Sequence, residues 1–295
     1  MSADPDGIEA ASDHGDSLGT AGTPGATAIA AVFAAAREED RAALIPYAVA
    51  GYPDAGLGEA VALAAVDAGA DVLEIGLPYS DPLADGATLQ RATSVALAAG
   101  ASLDRSIELV GRVRAARPYV PLVVMGYVNQ VLGSGDGSAV MARLADAGTS
   151  GLILADLTPD EGAPLEAHAR RCGMALVYLV TPTTPRARRA SIAGRTGGFL
   201  YAVSLAGVTG ARSSLPKGVS AFLRDVRSVS PVPVAVGFGV SRPAHVSRLA
   251  RLADGVIVAS ALVDALGPSG SDIERMAALV RSLAMAARRR GSART

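Results

Sequence analysis

Three acids fall within one short stretch of this chain, in surroundings that suit them to proton transfer. Glu74 lies inside the apolar run Asp71-Val72-Leu73-Glu74-Ile75-Gly76-Leu77, and Asp81 and Asp85 follow in Pro78-Tyr79-Ser80-Asp81-Pro82-Leu83-Ala84-Asp85-Gly86. The run is bounded by Ala68-Gly69-Ala70 and by Pro78, as a buried strand of a parallel sheet would be. Side chains alternate along a strand, so Leu73, Ile75 and Leu77 share one face and Val72, Glu74 and Gly76 the other. Helices cover the aliphatic face, which turns Glu74 inward near the strand's C-terminal end. A buried carboxylate is costly unless it is paired, protonated or used. A structural acid paired to an arginine is the plain alternative. Two more acids in the loop after the strand favour general acid–base work, because catalytic groups gather at such loops.

The elements that must position these acids recur in a regular cycle. Short β-branched or aliphatic runs fall at 44–50, 71–77, 121–126, 151–156, 174–180, 198–204, 232–237 and 255–260, with helical spacing at 57–68, 103–116, 138–147, 164–172, 219–229, 243–252 and 272–289. Strand–helix alternation means a parallel sheet with helical crossovers. Eight such units predict an α/β fold, a single (β/α)8 TIM barrel over 29–295. An open doubly wound sheet would need a Gly-rich dinucleotide turn after its first strand, and Gly51-Tyr52-Pro53-Asp54 stands there instead. An extra helix is expected before the first strand. Residues 1–28 carry Asp4, Asp6, Glu9, Asp13 and Asp16 with no Lys or Arg, and read as a disordered acidic leader rather than a secretory signal.

Bulk properties narrow the function classes. The 295 residues are 50% hydrophobic with a net charge of −1, which is ample for a large core and gives no nucleic-acid signal. No apolar window is long enough to span a membrane. Cys172 is the single cysteine, so no internal disulfide can form, and a cytoplasmic location is expected.

The later loops supply a cradle for an anion. Gly207-Val208-Thr209-Gly210 follows the sixth run, Gly237-Phe238-Gly239 the seventh, and Ala259-Ser260 opens a short helix after the eighth. Glycine lets backbone amides approach closely, and a helix N-terminus binds an anion without a basic side chain. Any one of these loops could be an ordinary tight turn. Three at adjoining strand ends point to a phosphorylated substrate. The rest of the inventory removes competing chemistry. Lys217 is the only lysine and lies well past the sixth run, away from a barrel-interior imine. His14, His168 and His245 fall in the leader and in helices, which leaves no metal cluster and no histidine base. Carboxylate acid–base catalysis without a cofactor in this chain remains.

The stretch from Leu73 to Gly86 resembles the signature of the tryptophan synthase α-subunit family almost residue for residue. Further matches are Pro46-Tyr47 with Gly51-Tyr52-Pro53, Met125-Gly126-Tyr127-Val128-Asn129, Ala155-Asp156-Leu157, Ala206-Gly207-Val208-Thr209-Gly210 and Gly237-Phe238-Gly239. The resemblance covers residues 29 to about 290. It implies retro-aldol cleavage of indole-3-glycerol phosphate to indole and glyceraldehyde 3-phosphate. It implies Glu74 as the acid–base residue at indole C3 and Asp85 as acceptor of the indole N–H, leaving Asp81 a loop-structuring role. Thr209 would bond Asp85 from a mobile lid over 204–220, Tyr201 would lie near Glu74, and Tyr47 would pack on the indole. Gly210, Gly239, Ala259 and Ser260 would hold the phosphate by their amides. The family's partner is a pyridoxal-phosphate β subunit in an α2β2 heterotetramer, with the pyridoxal phosphate on that partner and no cofactor here. A free-standing indole-releasing lyase and a non-catalytic regulatory subunit are the alternatives. Ala87, Leu205 and Ala259 depart from the usual pattern, at positions where proline, arginine and glycine are common; Leu205 bears on lid electrostatics and Ala259 on the fit of the phosphate.

Overall fold

Aliphatic runs edged by Gly, Pro or Asp become strands, and the polar-faced segments between them become helices. The computed structural model describes residues 19–133, 135–204, 218–237 and 239–289. Its strands are β1 (Ala43–Val49), β2 (Leu73–Gly76), β3 (Leu122–Gly126), β4 (Gly151–Leu154), β5 (Ala175–Val177), β6 (Leu179–Val180), β7 (Leu200–Val203), β8 (Val234–Gly237) and β9 (Gly255–Val258). All pairings are parallel, in the order β5-β4-β3-β2-β1-β9-β8-β7-β6. The nine segments occupy eight positions, because β5 and β6 are one run interrupted at Tyr178. There the Tyr178 amide donates to Thr196 Oγ1 at 2.9 Å, while its carbonyl still accepts from Tyr201 at 3.0 Å. β5 pairs with β4 and β6 with β7, so the eight-position α/β barrel closes through this broken strand.

Alternation divides the core as expected. Leu73, Ile75 and Leu77 pack outward in the layer beneath the helices. Val72, Ala43, Ile45, Val123, Ile153, Ala175, Val177, Phe199, Ala235 and Ile257 fill the interior. Helix Pro24–Glu38 seals the N-terminal end of the barrel with Ile29 and Phe33. Burying a side chain of that size contributes about 1.5–3 kcal/mol. The strands make room for it: a Cβ on Gly255 would lie 2.7 Å from Phe33 Cε1, and one on Gly198 would lie 3.0 Å from Ile29 Cδ1.

This helix revises the leader boundary at residue 28. It begins at Pro24, capped by Thr23 Oγ1 accepting from the Ala26 amide at 3.2 Å, a start signal made of a Thr cap and Pro at the first helical position. The chain before it is also anchored. Thr20 Oγ1 accepts from the Leu176 amide at 2.7 Å, and buried Glu166 accepts from the Gly19 amide at 3.1 Å. Residues 1–18 lie outside the described residues.

Helices Leu103–Ala116 and Val219–Val229 fall where their spacing predicts. Helices Ala87–Ala98, Val128–Leu132 and Arg186–Arg195 were not read from periodicity. The first buries only Ala92, Thr93 and Ala96, too small a stripe to register. The third is polar on nearly every side and is held by tertiary partners: Arg189 stacks 4.9 Å over the Phe222 ring and pairs with Asp225 at 2.5 Å.

Candidate active site

Every strand ends toward the same face, and β2 delivers Glu74 just below it. Glu74 is 1% exposed, and neither carboxyl oxygen has a hydrogen-bond partner among the described residues. The arginine-paired alternative therefore falls. Burial first, and the negative field of Asp85 second, push its carboxyl up to about 8. Asp85 returns to the mouth at the end of the loop after β2, half-buried, and desolvation lifts its carboxyl to about 6. At pH 7 the first acid holds its proton and the second is ionised. Two carboxyls separated in this way are how one site supplies both an acid and an anion.

Two phenols flank the acids, each seated in a notch left by glycine. Tyr47 on β1 is the register partner of Glu74, and a Cβ on Gly76 would run into its hydroxyl and approach its Cε2 to 2.7 Å. Tyr201 on β7 lies over Gly237 of β8, where a Cβ would stand 2.5 Å from its hydroxyl. Only glycine at these two inward positions lets the rings cross to the neighbouring strand. Both phenols are buried, and burial together with the two carboxylates pushes their ionisation well above the ordinary range, so both remain proton donors.

The loop that carries Asp85 is tied to the one after β3 by Tyr79 and Tyr127, which sequence reasoning assigned only to the motif, and by Gln130, which it missed. Tyr127 Oη accepts from the Ala84 amide at 3.0 Å, and its ring stacks on Tyr79 with centroids 5.1 Å apart. Gln130 Nε2 donates to Pro78 O at 2.9 Å while Gln130 Oε1 accepts from the Tyr127 amide at 3.0 Å. An amide side chain three residues past an aromatic at a strand end was the available signal. Asp81 makes no side-chain hydrogen bond or ion pair among the described residues.

Of the residues expected to hold an anion, Gly239, Ala259 and Ser260 are described. Gly239 adopts φ +71°, a left-handed conformation that favours glycine. Ala259 precedes helix Ser260–Ala265 with no side-chain cap, leaving the first amides of that helix to be met by something else. Thr209 and Gly210, with Leu205 and Lys217, lie outside the described residues, as does Phe238. His245 is buried and accepts from the Ser241 amide at 3.4 Å. His168 approaches Asp136 at 3.5 Å. A cleft of about 170 Å³ between helices, lined by Gly51, Gly100, Arg105 and Arg112, includes neither carboxyl.

A family model described as tryptophan synthase alpha chain matches residues 33–289. The chain belongs to that family. Relatives named tryptophan synthase alpha chain include one from Roseiflexus sp. (strain RS-1), 46% identical over 258 residues that make up 86% of this chain and 98% of the relative. Another, from Chloroflexus aurantiacus, is 43% identical over 88% of this chain and 98% of its own length. Among solved structures, a chain of Mycobacterium tuberculosis tryptophan synthase in space group F222 is 40% identical and superposes with a TM-score of 0.81, covering 88% of this chain and 98% of that one. The tryptophan synthase alpha chain family is one of lyases that serve tryptophan biosynthesis, and β2 with its loop carries the stretch that resembles the family's signature.

Proposed function

We propose that this chain cleaves indole-3-glycerol phosphate to indole and glyceraldehyde 3-phosphate. The observation that carries the reading is a fully buried Glu74 carboxyl, without a hydrogen-bond partner among the described residues, kept protonated beside an ionised Asp85. In the reaction Glu74 gives its proton to indole C3, which turns the ring into an electron sink. Asp85 accepts the indole N–H and offsets the positive charge that grows on the ring. The bond between C3 and the glycerol carbon then breaks, its electrons return to the ring, and the adjacent hydroxyl loses its proton to Glu74 as the aldehyde forms. Tyr47 packs on the indole, and Tyr201 faces Glu74. Gly239, Ala259 and Ser260, with Gly210, hold the phosphate by backbone amides, and Thr209 meets Asp85 from the loop after β7. No step needs a cofactor in this chain.

The indole goes to a tryptophan synthase β subunit, which holds pyridoxal phosphate and joins indole to serine, within an α2β2 heterotetramer in the cytoplasm. Among the described residues no helix is long and apolar enough to cross a membrane. Indole release from indole-3-glycerol phosphate, measured with and without a β subunit, tests both parts. Cleavage that the partner accelerates is expected; no cleavage under either condition overturns the assignment. Cleavage that the partner leaves unchanged replaces the complex with a free-standing lyase. Asp85→Asn should lower the rate by roughly 100-fold or more, the loss expected when a transition-state partner is removed.

A further inference from the structure

The two phenols at the mouth have different tasks. Tyr47 Oη reaches across from β1 into the notch at Gly76, one inward position closer to the strand's C-terminal end than Glu74. It does not bond Glu74, whose two oxygens have no hydrogen-bond partner among the described residues. The loop from Leu77 to Asp85 leaves β2 directly after Gly76, so the hydroxyl sits on the side to which Asp85 returns. Among the described residues Asp85's carboxylate has no hydrogen bond or ion pair, although desolvation already penalises its charge. An acid that must stay ionised while half-buried needs a donor. We propose that the Tyr47 hydroxyl, fixed in the Gly76 notch, is the donor that positions the Asp85 carboxylate and holds it ionised; Tyr47 is a positioning residue acting through Asp85. The fields of the two acids on the two phenols agree. Asp85 acts on Tyr47 more strongly than Glu74 does, whereas the order is reversed at Tyr201. Hydrogen bonds of this kind are commonly long in an empty site and shorten when substrate arrives.

This inference rests on the assigned reaction only for its effect on rate, and its test reads the pair directly as well. The ionisable groups around Asp85 are Glu74 on β2, Tyr127 from the loop after β3, Tyr201 on β7, and Tyr47 itself. In the full chain carrying ¹³C-carboxyl aspartate, the resonance lost in Asp85→Asn is titrated in wild type and in Tyr47→Phe. Removing the hydroxyl should make Asp85 about tenfold harder to ionise, so its midpoint rises by roughly one pH unit. In the indole-release assay the acid limb of kcat/KM should move up with it and kcat should fall roughly tenfold, with KM nearly unchanged because the ring remains. Tyr201→Phe should leave the acid limb in place. An Asp85 midpoint unmoved by Tyr47→Phe overturns the proposal, whether or not the chain cleaves the substrate. A shifted midpoint in a chain that releases no indole keeps the Tyr47–Asp85 pair and discards the reaction instead.

Discussion

At the scale of single residues, the proposed acid Glu74 costs the fold stability. Its carboxyl is raised from 4.5 to about 8, so the folded state holds a proton that the unfolded chain releases above pH 4.5. The sign follows: as pH rises from 4.5 toward 8, this group progressively destabilises the fold, and above about 8 the penalty levels off. Glu74→Gln should therefore abolish indole release, a loss of at least about 1,000-fold, yet raise the melting midpoint more at pH 8 than at pH 5. The stabilisation at neutral pH should be about 1–3 kcal/mol, less any cost of an amide that finds no partner. A variant that is active, or one equally stabilised at both pH values, contradicts this account. The same two ionisations frame the rate: activity should fall below about pH 6 as Asp85 takes a proton and above about pH 8 as Glu74 loses one. Glu74 was legible from the alternation of seven residues. The Gly76 notch was not, because the space a missing Cβ leaves is defined by a ring on another strand.

At the scale of elements, the loop after β2 is only as rigid as the contacts made by Tyr127 and Gln130. Gln130→Ala removes the donor to Pro78 O and the acceptor for the Tyr127 amide. The amides of Tyr79–Asp81 and Leu83–Gly86 should then exchange faster with solvent, and kcat/KM should drop roughly tenfold, with the fold retained. Unchanged exchange in that segment would show that the tie is incidental. Strand order and most helices were legible, since inward and outward faces differ in residue type. Helix Arg186–Arg195 was not, because its stability lies in Phe222 and Asp225 rather than in an apolar stripe of its own. The break between β5 and β6 was equally hidden. Tyr178 belongs in a strand by type, and only Glu166, accepting its hydroxyl at 2.6 Å, and Thr196 explain why the ladder parts there.

At the scale of the whole molecule, the segment before β1 is structural from Gly19 onward. A chain that begins at Gly19 keeps every described contact of that segment and should cleave substrate at the full rate. A chain that begins at residue 29 loses the Thr20 and Gly19 anchors, the Thr23 cap and the first turn of the helix. Its melting midpoint should fall by several degrees, from about 2–4 kcal/mol of lost caps and buried bonds; equal midpoints for the two truncations would contradict this. Composition read the whole stretch as leader because Gly, Thr and Ala carry no apolar periodicity until Ile29 and Phe33. Closure at the far end also governs traffic. With Ile29 and Phe33 seated across the interior and aliphatic side chains filling the space above them, the barrel is a cup rather than a pipe. Under the proposed reaction, a molecule formed at Glu74 finds no route along the axis among the described residues, and it would leave through the same face that admitted its precursor. Whatever covers that face decides whether the product reaches water at all.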